Sequence, residues 1–385
     1  MACEQLTRLG DVIELEDVKR EPISSRDRKD RKGSYPYYGA QGIVDYLDDY
    51  TYEGDYLLVA EDGENLRSRK NPIANAASGK FRVNNHAHVI AESEKCNLVF
   101  LRHLLNMTDI SAYVTGSTQP KLSQSNLCAM KLPLPSMAEQ NAIANVLSLF
   151  DRKIELNNQL NDYLLELVSS VFAHRFSNNV NTTELKNVLS ISTKALKPQE
   201  HAGEIWEHYS IPAFDENHRP VFEPASGIKS NKYQIDSECI LISKLNPSTK
   251  RIWMPYCSSN SAVCSTEFIV YRPYLKEYKS FYYAAIDSPR FTDYLLEHVS
   301  GSTGSRQRAQ SKDTLNYLMP NPGKEEIKDF CTFADPIYRH IQINEQQTAK
   351  LELLRDALLP KLMSGEIDVS KVDLTQLTNN HLADC

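Results

Sequence analysis

The sequence predicts an α+β protein: two pseudo-symmetric mixed α/β domains separated by two long antiparallel coiled-coil helices. Three observations lead there. A polar, glycine-bearing phrase is written twice, as TGSTQPKLSQSNL at Thr115–Leu127 and as SGSTGSRQRAQSK at Ser300–Lys312. The phrase sits inside a longer internal repeat whose landmarks keep their order in both copies. Each copy then closes on a pair of prolines and runs into a stretch of helical period roughly 40 residues long.

Bulk composition agrees with folded domains. The chain has 385 residues, 41% hydrophobic and 24% charged, enough for two or three ordinary domains. No apolar run approaches the ~18–20 residues of a membrane span, and MACEQLTRLGDV lacks the apolar core of a signal peptide. A cytoplasmic protein without a membrane partner is expected. The 8 cysteines form no CxxC and have no zinc-finger histidine spacing, so reduced thiols and no metal are expected. The formal net charge of -7 argues against a uniformly basic nucleic-acid binder. Any such role needs local basic faces on an acidic body.

The repeat can be followed element by element. LGDVIEL (Leu9–Leu15) answers LKNVLSI (Leu185–Ile191), with apolar residues at the first, fourth, fifth and seventh places of both. DYLLVAED (Asp55–Asp62) answers ECILISKL (Glu238–Leu245), and both read as buried strands. LPLPSMAEQ (Leu132–Gln140) answers LMPNPGKEE (Leu318–Glu326). The offset grows from 176 through 183 and 185 to 187 at the prolines, the drift of two copies diverging by small insertions. Each proline marks a boundary, because the residue before it is pushed out of helical conformation. The polar stretch SNNVNTTE (Ser177–Glu184) marks another. The expected parts are a head over 1–135, a helix over 136–176, a second head over 177–322, a helix over 323–364 and a tail over 365–385.

The helices carry heptads. Ile143, Phe150, Asn157, Leu164 and Val171 form one series, and Leu147, Ile154, Asn161 and Val168 its companion. The second helix has Phe330, Ile337, Asn344, Leu351 and Leu358, interleaved with Ile327, Ala334, Ile341 and Thr348. Both seams turn polar in the middle, which costs stability and sets register. Matching polar centres predict mutual antiparallel packing. Two separate core helices with solvent-facing asparagines is the competing arrangement. Pro336 should kink the second helix or start it afresh after Asp335. From Ile143 to Val171 the rod is about 42 Å long, matching roughly 12 base pairs of duplex.

The twice-written loops supply Ser117, Thr118, Gln119 and Lys121 in one head and Ser302, Thr303, Arg306 and Arg308 in the other. Hydroxyls, Lys and Arg hold phosphates, while Gln and Arg reach base edges. Gly116 and Gly301 allow a positive φ or a close backbone approach. A solvated loop capping the next helix is the alternative; the repetition, with Lys121 answered by Arg306, favours function. RDRKDRKGSYPYYGAQG (Arg26–Gly42) adds five basic residues and the candidate stacking rings Tyr37 and Tyr38, or else a charged loop followed by core tyrosines. SKLNPSTKR (Ser243–Arg251) brings Lys244 and Asn246 to the second head. The acids Asp45, Asp48, Asp49, Glu53 and Asp55 are expected to crowd elsewhere. His86 and His88 would share one strand face in a structural role.

Enzyme signatures are missing. There is no complete phosphate loop, no GxGxxG, no GxSxG and no HExxH. DPIY (Asp335–Tyr338) is one residue from the DPPY of amino-methyltransferases, but it lies in the heptad pattern and reads as helix.

Taken together, YPYYGAQGIVDYLDDYTYEGDYLLVAEDG, TGSTQPKLSQSNL, LPLPSMAEQNAIANVLSLFDRKIELNNQ and LRDALLPKLMSGEI resemble the specificity subunit of a type I restriction-modification system. The resemblance covers nearly the whole chain. The second copy departs from it, lacking the tyrosine-glycine phrase and carrying PNPGKEE in place of PLPSMAEQ. The resemblance implies two target-recognition domains, each reading one half of a split site on double-stranded DNA. It implies a helical spacer that sets the gap and docks two methyltransferase subunits, with Ile143, Leu147, Phe150, Ile154, Asn157, Asn161, Leu164, Ile337, Ile341, Asn344 and Leu351 in the helix pair. Restriction endonuclease/translocase subunits would join. S-adenosylmethionine, ATP and Mg2+ would belong to those partners; this chain would hold no cofactor and perform no chemistry. A coiled-coil adaptor that binds only proteins, or a diverged nuclease or methyltransferase, are the alternatives.

Overall fold

The computed structural model describes residues 6–300 and 307–369. The chain divides into two compact units, Met1–Ile154 with Lys350–Cys385, and Glu155–Ala349.

The first unit is built on a six-stranded sheet. Its order is Glu14–Leu15, Ala87–Ala91, Tyr52–Ala60, Ala74–Val83, Lys32–Gly39, Gly42–Leu47. All neighbours are antiparallel except Lys32–Gly39 beside Ala74–Val83. Strand Tyr52–Ala60 alternates as a two-sided strand must. Leu57 and Val59 face the main core with Phe100, Leu104 and Leu127, while Leu58 joins Tyr52, Phe81 and Val89 on the other face. The helix Leu98–Met107 begins at Asn97, whose side chain accepts from Phe100 N at 3.0 Å. Leu6–Arg8 pairs antiparallel with Lys131–Pro133 and closes the unit.

The second unit repeats the closure. Thr182–Glu184 pairs antiparallel with Leu318–Pro320. The following backbone bond also repeats: Leu9 N donates to Met130 O at 2.8 Å, and Leu185 N to Tyr317 O at 3.0 Å. Here the strands form a four-stranded and a five-stranded sheet. ECILISKL supplies the buried strand Ile240–Ser243 at the centre of the former, between Phe268–Pro273 and Ile252–Trp253.

The two long helices are Met137–Phe176 and Lys324–Met363, each of 40 residues. Ser136 and Glu139 cap the first reciprocally: Ser136 N donates to Glu139 Oε2 at 3.0 Å, and Glu139 N to Ser136 Oγ at 3.4 Å. Gly323 N donates to Glu326 Oε2 at 2.9 Å at the matching place in the second. The helices pair with each other, antiparallel, within each unit. In the first unit Ile143, Leu147 and Phe150 share a core with Leu351 and Leu359, and Asp151 takes Arg355 Nη1 at 2.9 Å. In the second, Val168 and Phe172 share a core with Phe330, Ala334 and Ile341, with Leu164 and Ile337 packed against it. The polar centre lies in the same unit: Asn157 Nδ2 donates to Gln347 Oε1 at 3.0 Å, and Asn344 Nδ2 to Asn161 Oδ1 at 2.8 Å.

Two expectations change. The helices are not domains apart from the heads, since each unit takes part of both helices into its own core. Nor does the second helix restart at Pro336. Pro336 lies on the exposed face, where water can take the freed carbonyl one turn back. Burial of Ala334, Tyr338 and Ile341 around it holds the chain helical. DPIY is helical, as expected.

Candidate nucleic-acid interface

In the first unit the loop Thr115–Lys121 is closed at its base by two backbone bonds, Thr115 N to Lys121 O and Lys121 N to Thr115 O, both 2.8 Å. Gly116 has φ +85, and a Cβ there would stand 2.2 Å from Gln119 O, so only glycine fits. Arg67 donates to Ser117 O at 2.8 Å and to Gly116 O, fixing the tip from one side. Ser117, Thr118 and Gln119 are exposed.

Beneath the loop lies an ionic network. Lys121 Nζ is 3.1 Å from Glu61 Oε1, Glu61 Oε2 takes Arg20 Nη1 at 2.6 Å, and Arg20 Nη2 is 3.2 Å from Asp17. His88, buried, has Nδ1 2.7 Å from Asp17 Oδ2 and Nε2 2.8 Å from Leu122 O. Burial works to raise the carboxyl of Asp17, but the His88 bond, the Val89 N–H and Arg20 hold it below its ordinary value. Glu61 is lowered in the same way, with Arg20 and Lys121 outweighing its burial. The network anchors the residue after Lys121, since Leu122 N donates to Glu61 O at 2.7 Å.

In the second unit Ser302, Thr303 and Arg306, with Gly301, lie outside the described residues. The base of the loop is described. Val299–Ser300 pairs with Arg308–Ala309, Asn246 N donates to Gln307 O at 2.9 Å, and Ala309 N to Lys244 O at 2.9 Å. Arg308 forks onto Glu267, with Nε to Oε2 at 3.0 Å and Nη2 to Oε1 at 3.2 Å. Asn246 has φ +48, and its Oδ1 is enclosed with no hydrogen-bond partner.

The two loop bases correspond. Asp62 forms an antiparallel bridge with Lys121, and Leu245 forms one with Arg308. Each cation is met by a glutamate, Glu61 or Glu267. Arg308 therefore stands where Lys121 does. The pairing of Lys121 with Arg306 by sequence is corrected by two residues, because the phrase gains length before its base closes.

Three further expectations are revised. Tyr37 is a core residue: its hydroxyl donates to Glu21 O at 3.2 Å and accepts from Ile23 N at 2.9 Å, so its ring is not free to stack on a base. Tyr38 is half-buried with its ring edge on Phe81, 5.5 Å between centroids. Asp45, Asp48 and Asp49 do not crowd away from the basic segment but neutralise it. Lys32 and Arg28 reach Asp45 at 2.5 and 3.4 Å, and Arg31 reaches Asp48 and Asp49 at 3.2 and 2.8 Å. His86 and His88 separate in role, the first on Asp62 at 2.7 Å, the second in the buried network. Lys244 and Asn246 do come together with Arg308.

Sequence reasoning passed over Glu61, Arg67 and Glu267. The acid ending the strand phrase, in VAED, was a usable signal for Glu61; nothing local marks Arg67 or Glu267. Among the described residues no group of three His, Cys, Asp or Glu side chains is placed to hold a metal ion, and no helix is long and apolar enough to cross a membrane.

Residues 5–166 match the family model of the type I restriction modification DNA specificity domain. A putative type I restriction enzyme specificity subunit of Haemophilus influenzae is 37% identical over 139 residues, 36% of this chain and 35% of that protein. The EcoprrI specificity subunit of Escherichia coli is 29% identical over 171 residues, 44% of this chain and 39% of its own. The chain thus aligns with little more than a third of the length of these two. The MjaIX specificity subunit of Methanocaldococcus jannaschii is 24% identical over 354 residues, covering 82% of this chain and 80% of that one. The fold is that of the S subunit of a type I restriction-modification system from M. genitalium, with a TM-score of 0.58 and 17% identity over 93% of this chain and 95% of that one. With the matched domain, its relatives and the shared fold in view, residues 5–166 form a type I restriction modification DNA specificity domain, and the chain as a whole is similar to type I specificity subunits.

Proposed function

We propose that this chain is the DNA sequence-recognition subunit of a type I restriction-modification complex, each head reading one half of a split site. The observation that carries it is the twice-built loop base, with Lys121 and Arg308 at corresponding places and each held by an exchangeable carboxylate. A phosphate can take over such a cation, which reconciles contact with DNA and a chain of net charge -7. Ser117, Thr118 and Gln119 then face the duplex for base and backbone contacts. The split site has two halves because the reading module occurs twice in one chain.

The chain acts without chemistry of its own. S-adenosylmethionine would be bound by methyltransferase subunits, and ATP and Mg2+ by restriction subunits, all in the cytoplasm. A docking place for a methyltransferase subunit is offered by the first long helix. Leu156, Leu160, Tyr163 and Leu167 are 44%, 41%, 68% and 46% exposed and recur in steps of four, three and four, one apolar stripe on one face.

The test is a genome-wide map of methylated bases in the host with and without the gene. Loss of one split motif, methylated in both halves, is the expected outcome. Methylation by the purified chain alone would point to an enzyme, and DNA binding absent even with partner subunits would point to an adaptor.

A further inference from the structure

The first unit carries a half-open cleft of about 520 Å³, in the ~300–1,000 Å³ range of small-ligand sites. It opens between the turn after Asn65–Ser68, the helix Leu98–Met107 and the parts of the two long helices belonging to this unit. Four fixed cations line it, Arg69, Lys70, Arg102 and Arg355, against two carboxylates, Asp151 and Asp356.

Both carboxylates are already engaged. Asp151 takes Arg102, His103 at 2.9 Å and Arg355 at 2.9 Å; Asp356 takes Arg355 Nε and Nη2 at 3.0 and 2.9 Å. Among the described residues no carboxylate bonds Arg69 or Lys70. Arg69 is pinned in left-handed conformation, φ +51, with Nη2 on the carbonyls of Leu105 and Asn106 at 3.0 and 2.7 Å. Its Nη1 is enclosed without an acceptor. A buried donor left unpaired is destabilising, so an acceptor brought within its reach is favoured.

We propose that this cleft is an oxyanion site that takes a phosphate group, with Arg69, Lys70 and Arg102 as donors. The excess of two positive charges disfavours cations and apolar ligands. Guanidinium forks suit phosphate, whose tetrahedral oxygens accept from several directions at once. The site also touches the reading loop. Arg67, one helical turn element with Arg69, holds the carbonyls of Gly116 and Ser117, so a phosphate drawn to Arg69 acts on the segment that positions the loop. The phosphate belongs either to a DNA backbone, which rests on the DNA-recognition proposal, or to a free phosphate compound, which does not.

The test uses the full chain and inorganic phosphate, followed by ³¹P line broadening against chloride at equal ionic strength. Broadening is expected for the parent chain, with affinity reduced about threefold to tenfold by Lys70→Gln, the range of one lost charge-assisted contact. Arg69→Gln should abolish it; if that variant does not fold, the exposed Lys70 carries the test. Addition of a non-specific duplex separates the sources. Displacement of phosphate identifies the DNA backbone, and retained phosphate a free compound. No broadening beyond the chloride control, or broadening unchanged by Lys70→Gln, overturns the proposal. Duplex binding measured in parallel by anisotropy keeps the outcomes apart: a chain that binds duplex but not phosphate refutes this site alone.

Discussion

Asn344 Nδ2 donates to Asn161 Oδ1 at 2.8 Å, both side chains buried between the two long helices. With Asn157, which donates to Gln347 Oε1 at 3.0 Å, the pair forms the polar centre of the helix seam, where it fixes the antiparallel register. Asn344→Ala leaves the Asn161 amide short of a partner and should destabilise the chain by about 1–3 kcal/mol in urea denaturation. Replacing both by leucine should recover most of that loss, because no polar group is then stranded.

Lys121→Ala should weaken binding to all duplexes alike and lower the slope of log affinity against log salt by about 1, as for a phosphate contact. A loss confined to one base position would instead make Lys121 a base reader. Glu267→Gln frees Arg308 and should strengthen non-specific binding by about two- to fivefold at low salt, within the range for an exposed ion pair.

Gly116→Ala drives a Cβ to 2.2 Å from Gln119 O. The loop is exposed, so the global melting temperature should hold while the loop opens. Affinity should fall about tenfold or more, given strain on the order of 1–3 kcal/mol. Unchanged affinity would remove the loop from the interface.

Asp151 has its carboxyl lowered from 3.8 to about 2; burial opposes this, but the His103 bond and the Arg102 and Arg355 charges prevail. A lowered folded value means stability present above the ordinary value and lost as pH falls through the folded one. Between about pH 4 and pH 2 the chain should lose roughly 2 kcal/mol from this group. Asp151→Asn should be less stable at neutral pH and flatter through that window, read by urea denaturation at each pH.

Tyr163→Asp on the exposed stripe should abolish co-purification of a methyltransferase subunit while leaving the melting temperature of the isolated chain unchanged, since the ring is 68% exposed. Retained co-purification would move the docking place elsewhere.

Much of the architecture was legible because it is written in periodicity. Heptads from Ile143 and Phe330 placed both long helices. The candidate site was half legible. Ser117, Thr118, Gln119 and Lys121 stand exposed in a loop that needs Gly116, as the phrase suggested. Tyr37 misled, since a tyrosine beside a basic run looks the same in sequence whether its hydroxyl is free or tied to Glu21 and Ile23. The basic run misled for a related reason: its neutralising acids arrive from strand Gly42–Leu47 and the turn after it, and pairing across a hairpin leaves no mark at a fixed spacing.

The sequence by itself determined the repeat, the two long helices and their polar centre, because local period and internal self-similarity are properties of the string. Only tertiary structure decided that Arg308, not Arg306, answers Lys121, that Glu61 and Glu267 hold those cations, and that Arg69 faces a cleft with a donor to spare. Those facts depend on contacts between residues tens of positions apart, and such contacts follow from how sheets and helices close on one another rather than from any pattern along the chain.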